Sequence, residues 1–96
     1  MKLKIGAFGY NLKLVDDLPN ASGYCREDSG VIRVSKDQDA LHQRETSLHE
    51  VLHCIIDQTD VRSLDKEDLE KLVSALSPRL FELVRDNPKF LRWLCE

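Results

Sequence analysis

Five residues in the middle of the chain have the types and the spacing for metal chemistry: His49-Glu50-Val51-Leu52-His53. Two histidines four apart lie on one face of an α-helix, one turn above each other. Each can offer an imidazole nitrogen to the same ion. Zinc takes imidazole at about 2.0–2.1 Å, and a catalytic zinc has three protein ligands with one open position. Glu50 follows the first histidine directly. In the H-E-x-x-H pattern this glutamate is not a ligand but the general base that works on the metal-bound water. The bland alternative is a helix whose two histidines and glutamate hold nothing.

Two histidines leave a third ligand to be found. No histidine follows His53, which excludes the longer H-E-x-x-H-x-x-G-x-x-H arrangement. The remaining route is a carboxylate from the next helix, completing a His₂Glu set. The candidates are Glu67, Asp68 and Glu70. Glu70 has Val73 three residues on, so it borders the apolar side of its helix. Glu67 lies one turn earlier and is the substitute. Asp68 reads as capping charge at the helix start. All three also fit a solvated acidic first turn.

These residues need elements to hold them. Residues 2–5 alternate polar and apolar, and Tyr10, Leu12 and Leu14 alternate again after Gly6-Ala7-Phe8-Gly9, predicting a hairpin. Residues 16–23 collect Asp, Pro, Asn, Ser and Gly, a loop composition. Tyr24-Cys25-Arg26 is a short strand candidate, Gly30 suits a turn with positive φ, and Val31-Ile32-Arg33-Val34 reads as a strand. The motif helix is expected over about 38–57, capped by Ser35 or Asp37, with Leu41, Leu48, Leu52 and Ile55 on its apolar side. A second helix starts near Asp65, with Leu64 and Leu69 as a hydrophobic staple. Its apolar stripe is Leu69, Leu72, Val73, Leu76, Leu80, Phe81 and Val84. Pro78 inside it should kink or divide the helix. Asn87 as cap with Pro88 at the first helical position starts a short terminal helix.

Ninety-six residues suit one domain, spanning 1–96. The net charge of −3 argues against a general nucleic-acid binder, which needs a basic face. No apolar run is long enough to span a membrane, and residues 1–5 do not read as a signal peptide. Cys25, Cys54 and Cys95 are odd in number and far apart, a pattern that fits free thiols in a reducing cytosol. The expected setting is therefore cytoplasmic.

The stretch from Gly23 to about Pro88 resembles the gluzincin group of zinc peptidases, most of all the small ImmA/IrrE-like proteins common in phages and other mobile elements. Val31 to Val34 precede the helix, Thr46-Ser47-Leu48 lead into His49 to His53, and Glu70-Lys71-Leu72-Val73-Ser74-Ala75-Leu76 stands in place of a glutamate-led Glu-x-x-Ala-Asn-like motif. Arg85-Asp86-Asn87-Pro88 is similar to the end of small phage proteins of this kind. The resemblance implies zinc held by His49, His53 and Glu70, with Glu50 as base. It departs at Val73-Ser74, where Ala-Asn or Ala-Asp is usual.

The expected fold is α+β: a small antiparallel N-terminal sheet packed on the H-E-x-x-H helix and a second long helix. The expected activity is zinc-dependent hydrolysis of a peptide or protein substrate, Glu50 activating a zinc-bound water and later passing its proton to the leaving amine. The alternative is a protein-binding module of the same fold without peptidase activity. Val31 to Val34 read either as an edge that accepts an extended peptide by strand addition or as an ordinary sheet strand. His42, Tyr10 and Tyr24 are candidates to line the cleft or to donate to an oxyanion, while Cys54 and Trp93 read as core.

Overall fold

The computed structural model describes residues 1–16, 18, 23–26, 29–59 and 68–96, with the backbone alone for 24–26, 69 and 70. Four strands and three helices follow in order: β1 Lys2–Ile5, β2 Phe8–Val15, β3 Gly23–Arg26, β4 Val31–Ser35, α1 Ala40–Asp57, α2 Leu69–Asp86 and α3 Pro88–Leu94. The fold is α+β, as the alternation of patterns predicts.

β1 and β2 form the expected hairpin, with Ile5 opposite Phe8 across Gly6-Ala7. Gly6 has φ +62°, and positive φ at the first central residue is what a two-residue hairpin turn demands. The sheet order is β1-β2-β4-β3. It is antiparallel at both flanks, but β2 and β4 run parallel, with Leu12 opposite Ile32 and Leu14 opposite Val34. The wholly antiparallel sheet is thus corrected at its central pair. The reason is topological: β3 takes the outer position, and β4 folds back between β3 and β2. A run of near-continuous β-branched residues such as Val31-Ile32-Arg33-Val34 suits an interior strand.

One face of the sheet is buried and built by alternation: Leu3, Ile5, Tyr10, Leu12, Ile32 and Val34. Val51, Cys54 and Ile55 of α1, Leu83 of α2 and Phe90 of α3 close over it. Helix α1 starts at Asp39, not at Ser35 or Asp37. Asp39 Oδ1 accepts from the His42 backbone N–H at 2.9 Å. Ser35 is unavailable because it is still strand and buried, with its hydroxyl accepting from Asp37 N at 3.1 Å. The buried line of α1 is Ser47, Glu50, Val51, Cys54 and Ile55. Leu41 and Leu48 face out, 68% and 38% exposed, so only Leu52 and Ile55 of the expected side meet the core.

Helix α2 runs through Pro78 without dividing. Pro78 and Ser74 are both exposed, so the Ser74 carbonyl that the missing Pro78 N–H leaves unpaired is open to water, and the preceding Ser77 hydroxyl bonds back to Val73 O at 2.7 Å. Its packing also differs from the expected stripe. Leu83 is the buried residue, Leu76 is partly buried, and Val73, Leu80, Phe81 and Val84 are exposed. The helix is apolar on two sides, and periodicity alone does not say which one the sheet takes. The expected staple and cap at Leu64 and Asp65 lie outside the described residues.

Asn87 occupies the cap position of α3, with Pro88 at the start as expected, but its side chain does not cap. It is buried and turns to the sheet edge. Asn87 Oδ1 accepts from Lys4 N at 2.8 Å, and Nδ2 donates to Lys4 O at 2.8 Å and Leu83 O at 3.0 Å. One amide thereby closes β1 where a neighbouring strand would otherwise sit. At the far end of α1, Gln58 Nε2 donates to Ile5 O at 3.0 Å and ties the helix to the hairpin. Among the described residues no helix is long and apolar enough to cross a membrane.

Candidate functional site

His49 and His53 stand on the exposed side of α1, one turn apart. Their Nε2 atoms are 3.1 Å from each other. The rings meet edge to face, with centroids 4.7 Å apart and planes at 75°. Two nitrogens, each about 2.0–2.1 Å from one tetrahedral ion, stand about 3.3–3.4 Å apart. The pair is therefore already converged to within a few tenths of an ångström of a shared-ion geometry.

Glu50 lies a third of a turn away and belongs to the buried line of the helix, 9% exposed. Its side chain borders a pocket of about 300 Å³ lined by Gly23, Glu45, Thr46, His49 and Glu50. Gly23 opens β3, and the pocket lies between that strand and α1. A Cβ added at Gly23 would come within 2.6 Å of Thr46 Cγ2 and 2.8 Å of Glu50 Cγ. The missing side chain is what lets the helix carry Glu50 this close to the strand. Thr46 is fixed from the other side, its hydroxyl donating to Gln38 Oε1 at 2.8 Å. Gln43 Nε2 donates to Gln38 O at 3.0 Å, bracing the same loop.

Sequence reasoning did not pick out Gly23, Thr46 or Glu45. Two of them carried a signal: Glu45 is one turn before His49 and Thr46 one turn before Glu50, the spacing of neighbours on a helix surface. Gly23 carried none, because only the close approach of α1 gives it a role.

The third ligand is not placed. The side chain of Glu70 and the whole of Glu67 lie outside the described residues. Among the described residues no group of three or more His, Cys, Asp or Glu gathers to hold an ion.

Other expectations resolve clearly. β4 is paired on both sides, to β2 and β3, so Val31 to Val34 have no free edge for a peptide. The outer strand beside the pocket is β3. His42 is bound to Asp39, with Nδ1 2.8 Å from Oδ1, and it does not line the pocket. That contact raises the His42 pKa, chiefly through the hydrogen bond to the Asp39 side chain. Asp39 is held below the usual carboxylate value, chiefly by the backbone N–H of His42. Tyr10 is core, and its hydroxyl accepts from Gln58 Nε2 at 3.4 Å, away from the motif. Tyr24 has no described side chain.

Cys54 is fully buried, as its direction on the helix implies, but the expectation of free thiols is corrected there: Cys54 is disulfide-bonded. Cys95 is free and exposed. No protein-family model, curated protein or solved structure matches the chain.

Proposed function

We propose that the chain is a zinc-dependent peptidase in which His49, His53 and Glu70 hold the ion and Glu50 is the general base. The observation that carries the reading is the convergence of two imidazole Nε2 atoms, 3.1 Å apart, beside a pocket into which the intervening glutamate opens. Zinc bound there supplies a Lewis acid that polarises a carbonyl and brings the pKa of a water towards about 7.

The protein supplies the rest. Glu50 accepts the proton of the attacking water and returns it to the departing amine. Its partial burial beside Gly23 keeps the carboxylate short of bulk water and aimed into the pocket. The outer strand β3 offers backbone groups to an extended substrate, which strand addition would lay along the pocket mouth. Glu70 is the third ligand on the resemblance of its segment to the gluzincin pattern, with Glu67 as substitute.

The test uses purified protein loaded with zinc. Metal content is measured for the native chain and for His53→Ala, Glu70→Ala and Glu50→Gln. Hydrolysis is followed by mass spectrometry on a mixed peptide library. One zinc per chain, lost in His53→Ala and Glu70→Ala and kept in Glu50→Gln, together with cleavage absent in Glu50→Gln, supports the proposal. Zinc retained in Glu70→Ala moves the third ligand to Glu67. A chain that takes up no zinc overturns the reading and leaves a protein-binding module of the same fold.

A further inference from the structure

The four strands hold five of the 14 Lys and Arg of the chain (Lys2, Lys4, Lys13, Arg26 and Arg33) and none of its 17 Asp and Glu. Alternation sends the apolar residues of β1, β2 and β4 to the helices. It sends Lys2, Lys4, Lys13 and Arg33 to the opposite face, where all four are exposed. The net charge of −3 hides this: the strands carry only basic residues, while the three helices balance six Asp and Glu against six Lys and Arg.

Register places these cations in a line. Lys2 stands opposite Asn11, Lys4 opposite Gly9, and Lys13 directly opposite Arg33. With strands about 4.8 Å apart and about 6.7 Å between alternate residues, the stripe runs about 20 Å from Lys4 through Lys2 and Lys13 to Arg33. Like charges directly opposite one another destabilise a sheet, yet Lys13 and Arg33 sit so at its centre. Among the described residues no carboxylate pairs with Lys2, Lys13 or Arg33. At the β1 end the Asp86 carboxyl is held low first by Arg85 and to a smaller extent by Lys4.

We propose that this open sheet face binds the sugar-phosphate backbone of a nucleic-acid duplex through Lys2, Lys4, Lys13 and Arg33. A protein partner fits it less well, because protein interfaces are depleted of charge at their centre, and here cations occupy the whole length of the stripe. A duplex carries one phosphate charge per about 1.7 Å of axis, so several phosphates fall within the stripe at once. The contact is independent of sequence, since it reads charge rather than base edges.

The experiment is fluorescence anisotropy of the full chain with a labelled 20-base-pair DNA duplex, with the single strand of the same sequence and with polyglutamate as competitors. Four phosphate contacts predict a log–log salt slope of about −3.6, an affinity loss of roughly 150-fold between 50 and 200 mM salt. The double variant Lys13→Glu/Arg33→Glu abolishes binding, while Lys13→Arg/Arg33→Lys retains it, since point charges suffice. Circular dichroism checks that both variants fold. Absence of duplex binding at 50 mM salt overturns the proposal. So does binding that survives charge reversal in a folded variant, tighter binding of the single strand, or preference for polyglutamate.

Discussion

Replacing Asn87 by alanine removes one side chain and three hydrogen bonds: from Lys4 N at 2.8 Å, to Lys4 O at 2.8 Å and to Leu83 O at 3.0 Å. Each such bond contributes about 0.5–1.5 kcal/mol net, and a buried backbone group left without a partner costs more. The Lys4 groups are partly buried, so water recovers some of the loss. The expected destabilisation is about 2–4 kcal/mol. That is a large share of the roughly 5–14 kcal/mol typical of a domain this size. It corresponds to a fall in Tm of about 10–20 °C, using roughly 0.2 kcal/mol per degree for a chain of this length.

The assay is urea denaturation with a thermal melt. An unchanged m-value is required for the shift to be read as stability. Asn87→Asp sharpens the test because it keeps the shape. At neutral pH the carboxylate still accepts from Lys4 N but faces two carbonyls it can no longer serve, so it is at least as damaging as alanine. Facing those carbonyls raises its folded pKa, so its protonated form is the compatible one. Stability therefore returns as pH falls towards the ordinary carboxylate value and is lost as pH rises through the raised one. A loss below about 0.5 kcal/mol for Asn87→Ala, the size of an ordinary surface change, would refute the reasoning.

Gly23→Ala forces its Cβ against Thr46 and Glu50. It should cost about 1–3 kcal/mol as overpacking, and it should depress peptide cleavage while leaving zinc uptake intact, measured by melts, elemental analysis and turnover. The Asp39–His42 contact makes the α1 cap pH-dependent. Its His42 part is full below the ordinary imidazole value and lost as pH rises through the raised one, while its Asp39 part is full above the ordinary carboxylate value and lost as pH falls through the lowered one. Asp39→Asn, which still caps, should flatten both limbs in a Tm-versus-pH series. Phe81→Glu, at a side chain 65% exposed, should change urea stability by no more than about 0.5 kcal/mol. His49→Ala should abolish zinc uptake without lowering the Tm of the metal-free chain, since that ring is exposed.

How much was legible follows from what each signal encodes. Period-two alternation located β1 and β2 and put Leu3, Ile5, Tyr10 and Leu12 on the faces that the core takes, while β-branched content located β4. Alternation carries no strand order, so the parallel β2–β4 pair and the outer position of β3 were invisible. The four-residue spacing put His49 and His53 on one face, and the short Nε2 separation follows from helix geometry. The side of α2 that meets the sheet was not legible, because Val73, Phe81 and Val84 are as apolar as Leu76 and Leu83. Asn87 carried the residue type of a helix cap. It is buried against Lys4 instead because β1 lies close enough to take both ends of its amide, a relation between residues 83 positions apart.

The closure of β1 by that amide also sets a valence. A sheet with two open edges can add copies of itself without end, which is how exposed strands seed fibres. Both β1 and β3 are edge strands here, and on β1 the Asn87 amide occupies the outer backbone groups of Lys4. Edge-to-edge pairing through β3 therefore leaves β1 outermost on each molecule, where the Asn87 amide stands in the way of a further strand. An extended peptide lying on β3 uses that same side, so in this fold capture of a strand and self-association are mutually exclusive.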